Sequence, residues 1–308
     1  MRLKTKIAVL LLMLAMLAAA ASCGNAAAEN APAAKDREGN PVVLPQNMER
    51  IISMGPSNTE IITALGFADK IIAIDSYSAD IEGIPQSLPK FNMMNPDGEQ
   101  IINLHPDVIF VTGMTKVDGG DLLKSVSDTG ICIIYMPSCA SISDIKEDIL
   151  YIAKVLGAEA EGEALVAGME GEISRIAKVG GTIIDKKTVY FEVDAPPYQV
   201  SFGQGVFLNE MIELIGAVNV FSDQKSWISL TDEAVLLANP DVILTSVNYV
   251  ENPIEDIKSR PGWNEVAAVK NGEIYLIDAD SSNRPSQNIV RALREMAKAV
   301  YPDEYEDL

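Results

Sequence analysis

The sequence is poor in the imidazole and thiol side chains that hold transition metals. Its 308 residues contain one histidine, His105, and three cysteines, Cys23, Cys132 and Cys139. A site built on two or more imidazoles is therefore excluded, which removes most zinc hydrolases and the histidine-rich metal carriers. Positive charge is also scarce: 24 Lys and Arg stand against 44 Asp and Glu, a formal charge of −20. A phosphate backbone needs a basic patch, so nucleic acid is not an expected partner. No glycine-rich phosphate loop or nucleophile elbow is present. What is present is a hydrophobic content of 48%, enough for packed cores and too much for a disordered acidic chain. The length predicts about two domains.

The first residues speak of location. Arg2, Lys4 and Lys6 form a basic start, and the stretch from Ile7 to Ala21 is uncharged and ends in small residues. That is the pattern of an export signal over residues 1–22, and its apolar part falls short of the roughly 20 residues that span a bilayer. Cleavage after an Ala-x-Ala site is one reading. Ala20-Ala21-Ser22-Cys23 resembles instead the lipobox of bacterial lipoproteins, in which the cysteine is lipidated and becomes the new N-terminus; alanine stands at position 20 where that family prefers leucine. Lipid on Cys23 would hold the protein at the outer face of the cell membrane. Residues 23–35 are small and polar and read as a tether. Removal of the signal takes three basic residues with it and brings the charge to −23. Cys132 sits in a β-type run, and seven extended residues to Cys139 span roughly 23 Å, whereas a disulfide needs Cα atoms under about 7 Å apart. Unless the chain reverses at Pro137, both are free thiols without a catalytic role, since neither has a neighbouring histidine.

The chain repeats itself. Glu60-Ile-Ile-Thr-Ala-Leu-Gly66 recurs as Glu210-Met-Ile-Glu-Leu-Ile-Gly216, and Glu99 to Ile109 recurs as Glu233 to Ile243. Gly66 and Gly216 suit left-handed helix caps. Pro106 and Pro240 end their helices, and residues 108–111 and 242–245 then read as buried parallel strands. Residues 50–54, 70–74, 131–135, 188–193 and 273–277 are further strands, and 36–44 reads as a hairpin. A helix starts at Ser143 and ends at Gly157, and another runs over 159–179, roughly 30 Å long at 1.5 Å per residue. Gly162, Gly168 and Gly171 weaken that helix in isolation, so it needs packing on both sides. These patterns predict two α/β lobes of similar build: an N-terminal lobe over 36–157, a linking helix over 158–180 and a C-terminal lobe over 181–308. A helical strut permits twisting and small closure rather than wide opening.

Several segments carry a family resemblance. They are Arg50-Ile-Ile-Ser-Met-Gly-Pro-Ser-Asn-Thr-Glu-Ile61, Ser76-Tyr77-Ser78, Glu99 with Pro106-Asp107, Glu233 with Asn239-Pro240-Asp241, Pro261-Gly262-Trp263 and Val269 to Asp278. Each is weak alone, but their order and spacing are specific. The chain resembles the substrate-binding lipoproteins of ABC importers for iron complexes and vitamin B12, over essentially all of residues 36–304. The resemblance implies two Rossmann-like lobes on one long helix, a ligand cleft between them, a permease and ATPase as partners, a monomer, and no cofactor beyond the ligand, an Fe(III) complex, haem or a corrinoid. Ligands of α/β sheets collect beyond the carboxyl ends of strands, which points to the loops bearing Ser57, Tyr77, Met114, Tyr198 and Ser281 to Arg284. The B12-binding members place an aromatic residue six positions before each of two glutamates. Here Trp227 holds that place before Glu233 and Met93 before Glu99. Met93 either packs on a macrocycle, ligates haem iron or fills space. Tyr77, Tyr198 in Pro196-Pro197-Tyr198, and Arg284 match cleft positions of the same members. A partly buried tryptophan and loop tyrosines covering apolar surface are the plain structural alternatives. Glu99 and Glu233 follow candidate caps Asp97 and Thr231, where the helix dipole favours a carboxylate. The resemblance implies that they pair with permease arginines, which sets orientation and speed. His105 reads as a helix C-terminal cap.

Two other classes compete. Metallocofactor and chelatase-like enzymes share the two-lobed build, but need cysteine or histidine ligands. A free-ion binder for zinc or manganese needs several histidines and carboxylates, and a ferric-ion binder needs a tyrosine cluster. Tyr77 and Tyr198 lie on opposite lobes, with no third tyrosine expected. The reading that fits is a non-catalytic, exported binding protein.

Overall fold

The computed structural model describes residues 34–117 and 120–308. The export signal, Cys23 and the tether up to residue 33 lie outside them. The fold begins with a small antiparallel hairpin, β1 (Ala34–Lys35) against β2 (Pro41–Val42). Asp36 holds its turn by accepting the amides of Glu38 and Asn40, at 3.0 and 2.8 Å. Its second oxygen accepts the Tyr135 amide at 3.2 Å and ties the hairpin to the lobe. The expected tether is thus two residues too long, because Ala34 and Lys35 already pair with a strand.

The N-terminal lobe continues through β3 (Ile51–Met54), α1 (Pro56–Ala64), β4 (Ile71–Asp75), β5 (Lys90–Phe91), α2 (Gly98–Asn103), β6 (Val108–Thr112), the hairpin β7 (Lys116–Val117) and β8 (Gly120–Asp121), α3 (Lys124–Ser127), β9 (Cys132–Met136) and α4 (Ile142–Leu156). Five parallel strands lie in the order β5-β4-β3-β6-β9. Their apolar runs are buried on both faces, as covered parallel sheets require. Helix α4 starts at Ile142 rather than Ser143. Ser141 is the cap: its hydroxyl accepts the Asp144 amide and the Asp144 carboxylate accepts the Ser141 amide.

Helix α5 (Glu159–Gly180) is the strut, 22 residues long. Close approach fixes both its ends. A Cβ on Gly162 would stand 2.4 Å from the Ala153 Cβ of α4, and one on Gly180 would stand 2.1 Å from the Leu214 carbonyl oxygen. Gly168 and Gly171 face open space.

The C-terminal lobe holds β10 (Thr188–Glu192), β11 (Val200–Phe202), α6 (Phe207–Leu214), β12 (Val218–Asn219), β13 (Trp227–Ser229), α7 (Asp232–Ala238), β14 (Val242–Thr245), α8 (Pro253–Ser259), α9 (Ala267–Asn271), β15 (Ile274–Leu276), α10 (Ala279–Asn283) and α11 (Ile289–Val300). Its four parallel strands run β12-β10-β14-β15, and β11 pairs β13 antiparallel.

The repeat has a physical basis. Gly66 and Gly216 have φ of 89° and 85°, and His105 and Asn239 have φ of 46° and 45° just before their prolines. His105 donates its amide to the Ile102 carbonyl at 3.0 Å and so ends α2. In each Pro-Asp pair the aspartate holds the start of the neighbouring strand. Asp107 accepts the Glu49 and Arg50 amides at 2.9 Å, and Asp241 accepts the Thr188 amide at 2.8 Å. One apolar cluster runs from Ile61 and Ile62 through Ile149, Met169 and Ile176 to Leu208, Ile212 and Leu293. Both lobes therefore share a core with the strut. Among the described residues no helix is long and apolar enough to cross a membrane.

Candidate functional site

A cavity of about 900 Å³ opens between the lobes. It lies beyond the carboxyl ends of the parallel strands: Ser57 follows β3, Tyr77 follows β4, Asp194 follows β10, Ser246 follows β14 and Arg284 follows β15. A smaller cavity, about 380 Å³, sits at the end of the strut by Gly181 and Lys186 and shares no lining residue with the cleft.

Five of the six expected ligand residues line the cleft: Ser57, Tyr77, Met93, Trp227 and Arg284. Tyr77 is 63% exposed. Its turn is held by Asp75, which accepts the Tyr77 amide at 2.8 Å and the Ser78 hydroxyl. Thr59 joins this buried group, 3.0 Å from the Ser78 hydroxyl. Burial pushes the Asp75 carboxyl up, against the pull of these hydrogen bonds. Met93 is 3% exposed and packs among Phe91 and Ile101, so only one edge reaches the cleft. Trp227, on β13, is 47% exposed, and its ring meets Phe202 edge-on at 6.0 Å. Met93 and Trp227 come from opposite lobes at matching places in the repeat.

Tyr198 does not line the cleft. The neighbouring Gln199 turns inward to donate to the Tyr190 hydroxyl at 2.9 Å, which leaves Tyr198 outward and 83% exposed. Tyr249 lines the cleft instead, a third tyrosine that the sequence reading did not find. Its hydroxyl accepts the Ala195 amide at 2.9 Å and donates to Asp194 at 3.4 Å, and burial raises it above the usual phenol range. The signal was available: Tyr249 follows β14 by the same rule that located Ser57 and Tyr77.

Arg284 crosses from the C-terminal to the N-terminal lobe. Its guanidinium donates to both Asp80 oxygens at 3.0 Å, to the Tyr77 carbonyl at 3.2 Å and to Glu60 at 3.3 Å, and pairs with Asp280 at 2.9 Å. Burial alone would weaken its charged form; these carboxylates outweigh it and raise Arg284. Burial likewise opposes ionisation of Asp80, but the Arg284 bonds win and hold it low, whereas burial leaves Asp280 high. Glu60, nearly buried, also accepts the Ser286 hydroxyl and the Asn288 side-chain amide, the latter at 2.9 Å, at the start of α11. Its repeat partner Glu210 accepts the Ile142 amide at 2.9 Å, at the start of α4 in the other lobe. Each repeat thus sends one glutamate across to a helix N-terminus of its neighbour, where the dipole favours it.

Glu99 and Glu233 are exposed, one per lobe, each in the first turn of its helix. Asp97 caps α2 by accepting the Gln100 amide at 3.0 Å. Thr231 occupies the equivalent place on α7 but caps no amide; it bonds to the Glu233 carboxylate and holds it low. Cys132 and Cys139 are free and half-buried. Burial pushes the Cys132 thiol up to about 11 and raises Cys139 too, whose thiol donates to Asp148 at 3.2 Å. Thiols held so far from ionisation are not nucleophiles at neutral pH. Among the described residues no group of three or more His, Cys, Asp or Glu is placed to hold a metal ion. The arrangement suits non-covalent capture of a flat or rounded molecule between aromatic, thioether and small polar groups.

Residues 51–281 match the family described as periplasmic binding protein. The chain is 31% identical over 316 aligned positions to an uncharacterized ABC transporter substrate-binding lipoprotein, YvrC, of Bacillus subtilis, covering 97% of this chain and 98% of that one. It is 26% identical over 255 positions to a vitamin B12-binding protein of Vibrio cholerae, covering 80% and 87% of the two chains. The crystal structure of a possible iron-binding (periplasmic solute-binding) protein from Staphylococcus epidermidis superposes with a TM-score of 0.73 at 29% identity, over 83% of this chain and all of that one. With two lobes on a helical strut, a cleft at the strand ends and these likenesses along nearly its whole length, the chain belongs to the periplasmic binding protein family.

Proposed function

We propose that the protein is the extracytoplasmic substrate-binding component of an ABC importer and delivers a metal chelate, either an iron complex (siderophore or haem) or a corrinoid. The observation that carries this reading is the cavity of about 900 Å³ between the lobes, with Tyr77, Met93 and Trp227 around it. The relatives named for B12 and for iron point to the same class of cargo. The protein works without turnover: its thiols are held protonated and its one histidine ends a helix. Lipid on Cys23 anchors it at the outer membrane face, as the lipoprotein name of the Bacillus relative supports. It acts as a monomer, and Glu99 and Glu233 dock the two lobes on the permease.

Fluorescence titration with haemin, ferric siderophores and cyanocobalamin tests the reading. Trp227 lines the cleft and Trp263 is buried in the same lobe, so a saturable change in tryptophan emission reports occupancy of the cleft. Saturable one-to-one binding of at least one chelate is expected, and silence toward all of them overturns the reading.

A further inference from the structure

The charge on the cleft wall divides the chelate class. Asp80, Asp194 and Asp280 line the cavity and Arg284 is the one cation among its described lining residues, a balance of two negative charges. Arg284 is not free to greet an anion. Both Asp80 oxygens, Glu60 and Asp280 already hold it, at 2.9 to 3.3 Å. A ligand carboxylate would have to displace a protein carboxylate and would gain no ion pair by doing so. The N-termini of α1 and α6, with Ser57 and Phe207 at the cleft, add partial positive charges of about +0.5 each, together too little to reverse the balance. The remaining polar groups that matter, Ser57, Ser246 and Asn248, are neutral and hydrogen-bond equally well to amide or hydroxamate groups. Tyr77 and Trp227 offer ring faces, which attract a cation and tolerate an uncharged macrocycle.

We infer that the cleft selects uncharged or cationic metal chelates, rimmed by amide or hydroxamate groups, and rejects chelates that carry net negative charge. This rests on the binding-protein reading and narrows it. Rejection works through unpaired like charge rather than through missing contacts, a form of specificity that needs no bulk. At about 10 Å and an effective dielectric near 20, each added negative charge on the ligand, facing a net of two on the cleft, weakens binding roughly a hundredfold at low salt.

The test is calorimetric titration of the full protein with four probes: neutral cyanocobalamin, a ferric trihydroxamate bearing an ammonium group, haemin with its two carboxylates, and a ferric tris-catecholate. Tight binding of a probe from the first pair is expected, with both anionic probes at least about a hundredfold weaker at low salt. The combined change Asp80→Asn, Asp194→Asn and Asp280→Asn is expected to narrow that ratio at least tenfold, both probes of the ratio being measured on the same variant. Haemin or the tris-catecholate binding as tightly as the first pair overturns the inference and leaves the binding-protein reading standing. A ratio unchanged in the triple variant also overturns it. Silence toward all four overturns both. The unsubstituted protein decides the first comparison, so a poorly folded variant does not shield the inference.

Discussion

At the scale of single residues, the most costly position is not in the cleft. Glu192 is fully buried and receives Arg260 through two hydrogen bonds, 2.5 and 3.0 Å long, and the guanidinium lies 4.7 Å over the Trp263 ring. Removing Glu192 leaves the buried guanidinium only its half-exposed partner Asp256, 2.7 Å away, so Glu192→Ala should lower stability by about 3 kcal/mol, read as a shift in urea midpoint. A loss under about 1 kcal/mol would mean the pair is solvated. In the cleft, Trp227→Ala should weaken ligand binding at least tenfold, about 1.4 kcal/mol, whereas Tyr198→Ala should leave it within about twofold. Equal effects would return Tyr198 to the site. That contrast marks what was legible. Strand-end logic led to Ser57, Tyr77 and Arg284, and the family resemblance to Met93 and Trp227. Tyr198 stands outside the cavity lining because the direction of a loop side chain depends on its neighbour: Gln199 turns in to Tyr190 across a fold that sequence spacing does not reveal. The partners of Arg284 were invisible for the same reason, since Asp80 and Glu60 lie more than 200 positions away in the chain.

At the scale of elements, the strut and the two crossing glutamates decide how the lobes sit. The helix ends were readable from glycine and proline, because caps are local chemistry. Which glycines serve packing was not readable. Gly168 and Gly171 face open space, so Gly168→Ala or Gly171→Ala should stabilise the protein by up to about 1 kcal/mol each. Gly180 abuts the Leu214 carbonyl, so Gly180→Ala should destabilise it and loosen the strut from the C-terminal lobe. Thermal melts separate the two classes, and equal shifts would contradict the packing. Glu60 and Glu210 appeared in the sequence only as repeat markers. Their role needs the structure, in which each meets a helix start of the other lobe. Glu60→Ala leaves Ser286 and Asn288 without their shared acceptor and should cost about 2 kcal/mol.

At the scale of the whole molecule, charge governs behaviour. The chain carries a formal −20, and compact acidic chains repel themselves. Burial raises Asp75 and Asp148. A carboxyl raised in the folded state binds its proton more readily there, so stability increases as pH falls from neutrality toward its titration range. Asp80 and Glu172 are held low by arginines, and their contributions are lost only as pH falls through those lowered values, below about 4. The melting temperature should therefore hold or rise as pH falls from about 8 toward the ordinary carboxylate range and fall below about pH 4. A steady decline from pH 8 downward would contradict this. The same surface bears Glu99 and Glu233 on separate lobes; Glu99→Ala with Glu233→Ala should leave chelate affinity intact and abolish uptake in cells, and lost affinity would refute that division of labour.

The central claim is that a metal chelate is captured between the lobes. Calorimetric titration of the protein and of its Tyr77→Ala, Trp227→Ala variant, with cyanocobalamin, haemin and ferric siderophores, tests it most directly. The account predicts saturable one-to-one binding of at least one chelate to the protein, weakened at least tenfold in the variant. Binding that survives loss of both rings unchanged, or no binding at all, would contradict it.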